Sequence, residues 1–177
     1  PTASTAVAMA IGDALAAVWM GRRGISPADF AIDHPAGSLG KQLTMTVADL
    51  MLPVSSLPAL QPSTSMPDVI SMITQGAIGS GWVEDPGSQG RLVGLITDGD
   101  LRRALKENNS DRWAHLQASD LMTADPITVT SELMAVEAMK RMEHNRRKPI
   151  SVLPVVNAHG QLEGLLRLHD LVQAGLT

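Results

Sequence analysis

The stretch GLITDGDLRRAL occupies residues 94–105, and a near copy, GLLRLHDLVQAG, occupies residues 164–175. Gly94 aligns with Gly164, Asp100 with Asp170 and Leu101 with Leu171, each pair 70 residues apart. Where the first copy has Thr97, the second has Arg167. In both, a glycine and an apolar run predict a buried strand, and the run passes directly into a helix that starts near the aspartate. An unnoticed repeat misassigns a whole fold, so the duplication is the first feature to follow outward.

It extends upstream. VADLM at 47–51 returns as ASDLM at 118–122, with Asp49 and Asp120 71 residues apart. Met66, Val69, Ile70 and Ile73 follow the first copy at i, i+3, i+4 and i+7, and Ala135, Ala138, Met139 and Met142 answer them in the second. That spacing places four apolar side chains on one helical face. A buried strand comes next, GWV or VLPVV, then a turn, EDPGSQG or NAHG, then a second strand, RLVGLIT or QLEGLLRL. A short extended piece, LPALQP or PITVT, is expected between the DLM segment and the helix, so the predicted order in each unit is β-α-β-β-α, an α/β (α+β) fold with units at 46–110 and 116–177. Pro154 within VLPVV predicts an edge position or a break, because proline donates no ladder hydrogen bond. A unit of this size buries only about 60% of its surface and is marginal alone. The two are therefore expected to pack sheet to sheet as a pseudo-twofold pair sharing one core.

Composition narrows the function classes. The chain of 177 residues carries a formal net charge of -4, with short basic clusters, among them 22–23, 102–103 and 146–148, and no long basic run. Nucleic-acid binding calls for a basic face or stripe, so no nucleic-acid partner is expected. Cysteine is absent, which removes disulfides and thiol chemistry and agrees with a reducing cytoplasm. The five histidines, at 34, 115, 144, 159 and 169, show no metal-ligand spacing. Neither a metal nor a resident cofactor is expected.

Residues 1–45 read differently. The apolar stretch 6–20 is interrupted by Gly12 and Asp13 and reads as too short for a bilayer, so no membrane span is expected. Ser4 or Thr5 is expected to cap a helix that Gly21 or Gly24 ends. A helix apolar on every face is normally buried, which predicts that it belongs to a larger body upstream, or else to a dimer contact. A short second helix is expected around 27–32. His34 precedes Pro35 and is therefore expected to be extended; by residue type it suits a loop or cap as well as a catalytic role.

The β-α-β-β-α order with a Gly-apolar-apolar-Thr-x-x-Asp ending resembles the cystathionine-β-synthase (CBS) domain, which occurs in tandem pairs. In that family the Thr and Asp of the strand-to-helix junction bind ribose hydroxyls of a nucleotide. The resemblance places that role on Thr97 and Asp100, and on Asp170 in the second half, with Gly94 admitting close approach of a ligand. The same residues read equally well as helix caps, since Thr97 is a good N-cap and acids are favoured in a first turn. Arg167 with His169 beside Asp170 suits an anion, because a guanidinium offers forked donors; it suits equally a surface pair with Glu163 or Asp170 and no ligand.

PTASTAVAMAIGDALA, GISPADFAIDHPAGSLGKQL and TDGDLRRAL together resemble the arabinose 5-phosphate isomerase family, in which a sugar-isomerase domain precedes two CBS domains. The loop departs from the family's pattern at Ala36 and Ser38. The resemblance makes residues 1–45 the end of the isomerase domain and its linker. It counts His34 among the active-site residues for the interconversion of ribulose 5-phosphate and arabinose 5-phosphate, a step toward Kdo and lipopolysaccharide. The family's upstream Gly-Lys-Ser-Gly and Ser-Gly-Glu segments are not in this sequence, so the fragment is expected to be inactive alone. Its expected role is a regulatory module that senses CMP-Kdo or an adenine nucleotide. It is expected to be a homo-oligomer in the cytoplasm: a dimer of CBS pairs, a tetramer being open to the full-length protein. The alternative is a purely structural oligomerisation module with no ligand.

Overall fold

The computed structural model describes residues 2–26, 29, 44–144 and 150–176. The chain divides into two compact units between Thr44 and Met45. In the first, α1 (Ala3–Arg23) runs for 21 residues. It starts earlier than Ser4 or Thr5: Thr2 is the N-cap, and its carbonyl already accepts from Thr5 and Ala6 N–H at 3.0 and 3.2 Å. Gly24 ends it in the left-handed region with φ 65°, as expected of a C-terminal glycine. Arg22 and Arg23 complement the dipole of the last turn, and the Arg23 guanidinium lies 4.8 Å from the Trp19 ring centre.

No residue of α1 is buried, and Val7, Met9, Ile11, Leu15, Val18 and Trp19 are exposed. One expectation for this segment changes: the helix is not too short for a bilayer, because a lone Gly and a lone Asp leave it unbroken. By length and composition alone, Ala3–Arg23 is long and apolar enough to cross one. The second short helix and His34 lie largely or wholly outside the described residues, as do Arg146, Arg147 and Lys148.

The second unit carries the repeat. Its first half contributes β1 (Leu52–Pro53), a 3₁₀ turn (Val54–Ser56), β2 (Ala59–Leu60), α2 (Met66–Gly76), β3 (Ser80–Glu84), β4 (Leu92–Thr97) and α3 (Asp98–Glu107). After the short α4 (Ser110–Trp113) the second half contributes α5 (Ala118–Leu121), β5 (Thr123–Ala124), α6 (Ala135–Glu143), β6 (Val152–Val156), β7 (Leu162–Arg167) and α7 (Leu168–Gln173). The strands make two sheets, β2-β3-β4-β5 and β1-β7-β6.

That order exchanges the edges. β5, from the second half, pairs with β4 of the first through Gly94 and Ala124, and β1, from the first half, pairs with β7 of the second through Pro53 and Gly164. The lead segments cross as well. Val47 N–H bonds the Leu133 carbonyl and Ala135 N–H bonds that of Met45, tying the first DLM segment to the start of α6. Reciprocally, Met66 N–H bonds Leu116 and Ala118 N–H bonds Thr64, at 2.8 Å each. Each helical core is consequently mixed. Val47 is buried with Ala138, Leu153 and Leu166, and Ala118 and Leu121 are buried with Ile73, Val83 and Ile96.

A third cluster lies between the sheets, joining Trp82 and Leu95 to Val152, Leu162 and Leu165. This is the shared core that the marginal size of each repeat called for. The two hairpin turns meet across it: Leu92 N–H bonds the Gly160 carbonyl at 3.2 Å, and Leu162 N–H bonds that of Gly90 at 2.8 Å. The two bonds are reciprocal, with donors Leu92 and Leu162 and acceptors Gly90 and Gly160 each 70 residues apart, and they mark the pseudo-twofold. The ladders also share one irregularity, after Val83 in β3 and after Val155 in β6.

Pro154 accounts for the main departure from symmetry. In the first half Trp82 N–H bonds the Pro58 carbonyl at 3.2 Å, which helps hold β2 as a parallel strand beside β3. Pro154 occupies the register position of Trp82 and has no N–H to give. Only a single parallel bridge, Val129 to Val155, forms there, and β6 is the edge of its sheet.

Candidate functional site

Two junctions, each a strand running into a helix, hold the residues singled out above. Thr97 ends β4 and caps α3. Its backbone N–H and its hydroxyl both donate to Asp100 Oδ2, at 2.8 and 2.6 Å. The other oxygen of Asp100, Oδ1, accepts from Arg103 at 2.7 Å, and Asp100 is only 6% exposed. A buried carboxylate is stable only when bonded, and here three donors of its own helix start supply the bonds.

In the second half Arg167 ends β7 and caps α7. Its Nε and one terminal nitrogen donate to the two oxygens of Asp170 at 2.7 and 2.6 Å, a forked pair. Bonding to Asp170 raises the pKa of the guanidinium above its ordinary value. Of the uses open to Arg167, an anionic ligand or a pair with Glu163 or Asp170, the structure shows the pair with Asp170. His169 is exposed in the first turn of the same helix. The structure therefore brings Thr97 to Asp100 and Arg167 to Asp170.

The same three-residue pattern starts other helical turns. Thr46 N–H and hydroxyl both donate to Asp49 at 2.8 Å, Gln117 N–H donates to Asp120 at 2.9 Å, and the Ser65 hydroxyl reaches Asp68. The carboxylate of Asp49 lies below the ordinary range, chiefly because the Thr46 N–H favours its charged form. A hydroxyl or amide followed three residues later by Asp is the general way this chain opens a helix.

The chain itself calls for glycine at both junction strands. A Cβ on Gly94 would run into the Met122 side chain, and one on Gly164 would collide with the Leu52 carbonyl. Both make room for the exchanged edge strand of the other half. Two site residues escaped sequence reasoning. Ser80 lies directly opposite Thr97 across β3 and β4; it is fully buried, and its hydroxyl has no partner among the described residues. The signal was present, a lone hydroxyl opening an apolar strand. Arg103, one helical turn from Asp100, was legible as an i, i+3 pair.

The CBS domain family matches this chain at residues 47–107 and 118–176. The chain belongs to the CBS domain family. Its two matches are the two repeats, and the mixed sheets are those of a CBS pair. Among solved structures it resembles CBSX2 in complex with AMP, with 30% identity and a TM-score of 0.61 over 74% of this chain and 96% of that one. CBSX2 from Arabidopsis thaliana is 28% identical with a TM-score of 0.60, over 74% and 94%. Among curated relatives, arabinose 5-phosphate isomerase KpsF of Escherichia coli is 42% identical over 170 residues, 96% of this chain and 49% of the relative. Arabinose 5-phosphate isomerase KdsD of Pseudomonas aeruginosa is 39% identical over 176 residues, 99% and 52%. The chain thus spans about half the length of these relatives, and the likeness covers residues 1–45 as well as the repeats.

Proposed function

We propose that this chain is the nucleotide-sensing, regulatory CBS pair of a cytoplasmic arabinose 5-phosphate isomerase, with an adenine nucleotide as its ligand. One observation carries the reading: a Thr-x-x-Asp junction, Thr97 to Asp100, in a CBS pair 30% identical to one crystallised with AMP. A carboxylate can accept from two vicinal ribose hydroxyls, and the first turn of α3 beside it favours a phosphate. CMP-Kdo, the ligand expected if the module senses its own pathway, has no such support and serves as the comparator. The test is calorimetric titration of the 177-residue chain with AMP, ATP and CMP-Kdo. Saturable heat from AMP or ATP supports the reading, and heat from CMP-Kdo alone replaces the ligand class.

The isomerase assignment rests on the curated relatives and on the family role carried by His34. The 177-residue chain itself is proposed to be inactive, since the sugar-phosphate and partner carboxylate segments are not in this sequence. Incubation with ribulose 5-phosphate should give no arabinose 5-phosphate. Turnover that survives purification and vanishes in His34→Ala would overturn this. Two chains are proposed to pair in solution, and light scattering at high micromolar concentration tests that; a monomer there would remove the claim.

A second reading has its own observation. Asp100 and Asp170 are both fully engaged by residues of the chain, as helix caps require. A structural module holding isomerase subunits together needs nothing more, and an absence of heat from all three nucleotides favours it.

A further inference from the structure

We infer that the two halves are unequal as binding sites, that the chain takes one nucleotide on the Thr97–Asp100 half, and that Arg167 keeps the other half closed. The inference rests on the nucleotide reading above and adds its stoichiometry and the residue that sets it.

The pseudo-twofold makes the comparison position by position. Thr97 faces Ser80 across its ladder, and Arg167 faces Val152 across the equivalent one. In the first half, then, a hydroxyl that is buried and unpartnered among the described residues neighbours the Thr97 hydroxyl on one sheet face. A buried polar atom left unpaired points to a partner that arrives from elsewhere. In the second half an apolar side chain, Val152, stands at that place, and no buried side-chain polar atom there is left unpaired among the described residues.

The carboxylates differ in the same sense. Oδ1 of Asp100 is held by one bond from Arg103, whose side chain is 50% exposed. The guanidinium end of this pair is open to solvent while the carboxylate is not, so Arg103 can swing away provided that another donor takes its place on the buried oxygen. That frees Oδ1 for a ligand hydroxyl while Thr97 keeps Oδ2 in place. Asp170 has both oxygens in the Arg167 fork, and Arg167 is 25% exposed. A forked, half-buried pair is stronger and geometrically fixed. To admit a ribose there, both bonds must break together and leave a guanidinium beside the ligand's hydroxyls. The change from Thr to Arg thus converts a ribose acceptor into a self-satisfied ion pair.

The test is titration of the chain with AMP, read as sites per chain. Wild type is expected to bind one. Asp100→Asn should weaken binding about ten- to a hundredfold, the loss of one charge-assisted hydrogen bond. Asp170→Asn should leave the affinity within about twofold. Arg167→Thr, which restores the first half's pattern, should raise the stoichiometry to two. Each variant's melt without ligand reports its folding, and if Asp170→Asn does not fold, the Arg167→Thr stoichiometry decides. Two sites in wild type, or one in Arg167→Thr, overturns the inference and leaves the nucleotide reading standing. No heat from wild type or Arg167→Thr brings down that reading and this one together.

Discussion

Ser80 sets stability against binding at a single atom. Its hydroxyl is buried with no partner among the described residues, and removing an unpaired hydroxyl regains about 1 kcal/mol. Ser80→Ala should therefore raise the melting temperature by about 2–4 °C and weaken AMP binding. Calorimetry of the melt and of the titration checks both; a lower melting temperature means that the hydroxyl is bonded in the protein in solution. Asp49 gives a pH signature. Its folded pKa is lowered, so its stabilisation is fully present above the unfolded value of about 3.9 and is lost as pH falls through the lower folded one. Asp49→Asn removes that proton uptake. Below about pH 4 its melting temperature should fall less steeply than that of wild type, and equal slopes would count against the cap. At this scale Asp100 and Asp170 were legible because the repeat quoted them, and Thr97 through the resemblance of its junction to the CBS pattern. Their bonding partners were not, since one motif serves both a cap and a ribose.

Helix and strand positions were read correctly wherever periodicity was strong. The apolar spacing of 66, 69, 70 and 73 became α2, and Met66, Val69 and Ile73 are buried on it. The edge strands β1 and β5 are two residues each and carry no periodicity to read. They are defined by what they pair with, and the pairing explains the glycines. Gly164 faces a backbone carbonyl, which cannot move without disturbing β1, whereas Gly94 faces the flexible Met122 side chain. Gly164→Ala should cost about 1–3 kcal/mol, the usual range for overpacking, and Gly94→Ala less. Urea denaturation of the two variants checks the order; equal losses would mean that the Leu52 carbonyl yields as easily as a methionine.

The CBS pair as a whole is interlocked. Each helical core holds a lead segment from the other repeat, and each sheet borrows its edge strand from the other. Residues 45–110 expressed alone would lack Ala118 and Leu121 from their core and β5 from their sheet. That piece should be unfolded by circular dichroism, whereas the chain should lose both cores in one cooperative transition. A folded half, or two resolved transitions for the two cores, would contradict the interlock. The sequence by itself determined the duplication, the β-α-β-β-α order, the strand-to-helix junctions and the need for a shared core. All of these follow from local periodicity, capping chemistry and the surface that a small unit cannot bury. Tertiary structure alone decided that the leads and edges cross over, that Gly94 and Gly164 abut Met122 and Leu52, and that Ser80 stands beside Thr97. The physical reason is range. Periodicity and caps are set within a turn or two of chain, whereas the crossing brings Met122 to Gly94 and Leu52 to Gly164, contacts chosen by the burial of both halves at once.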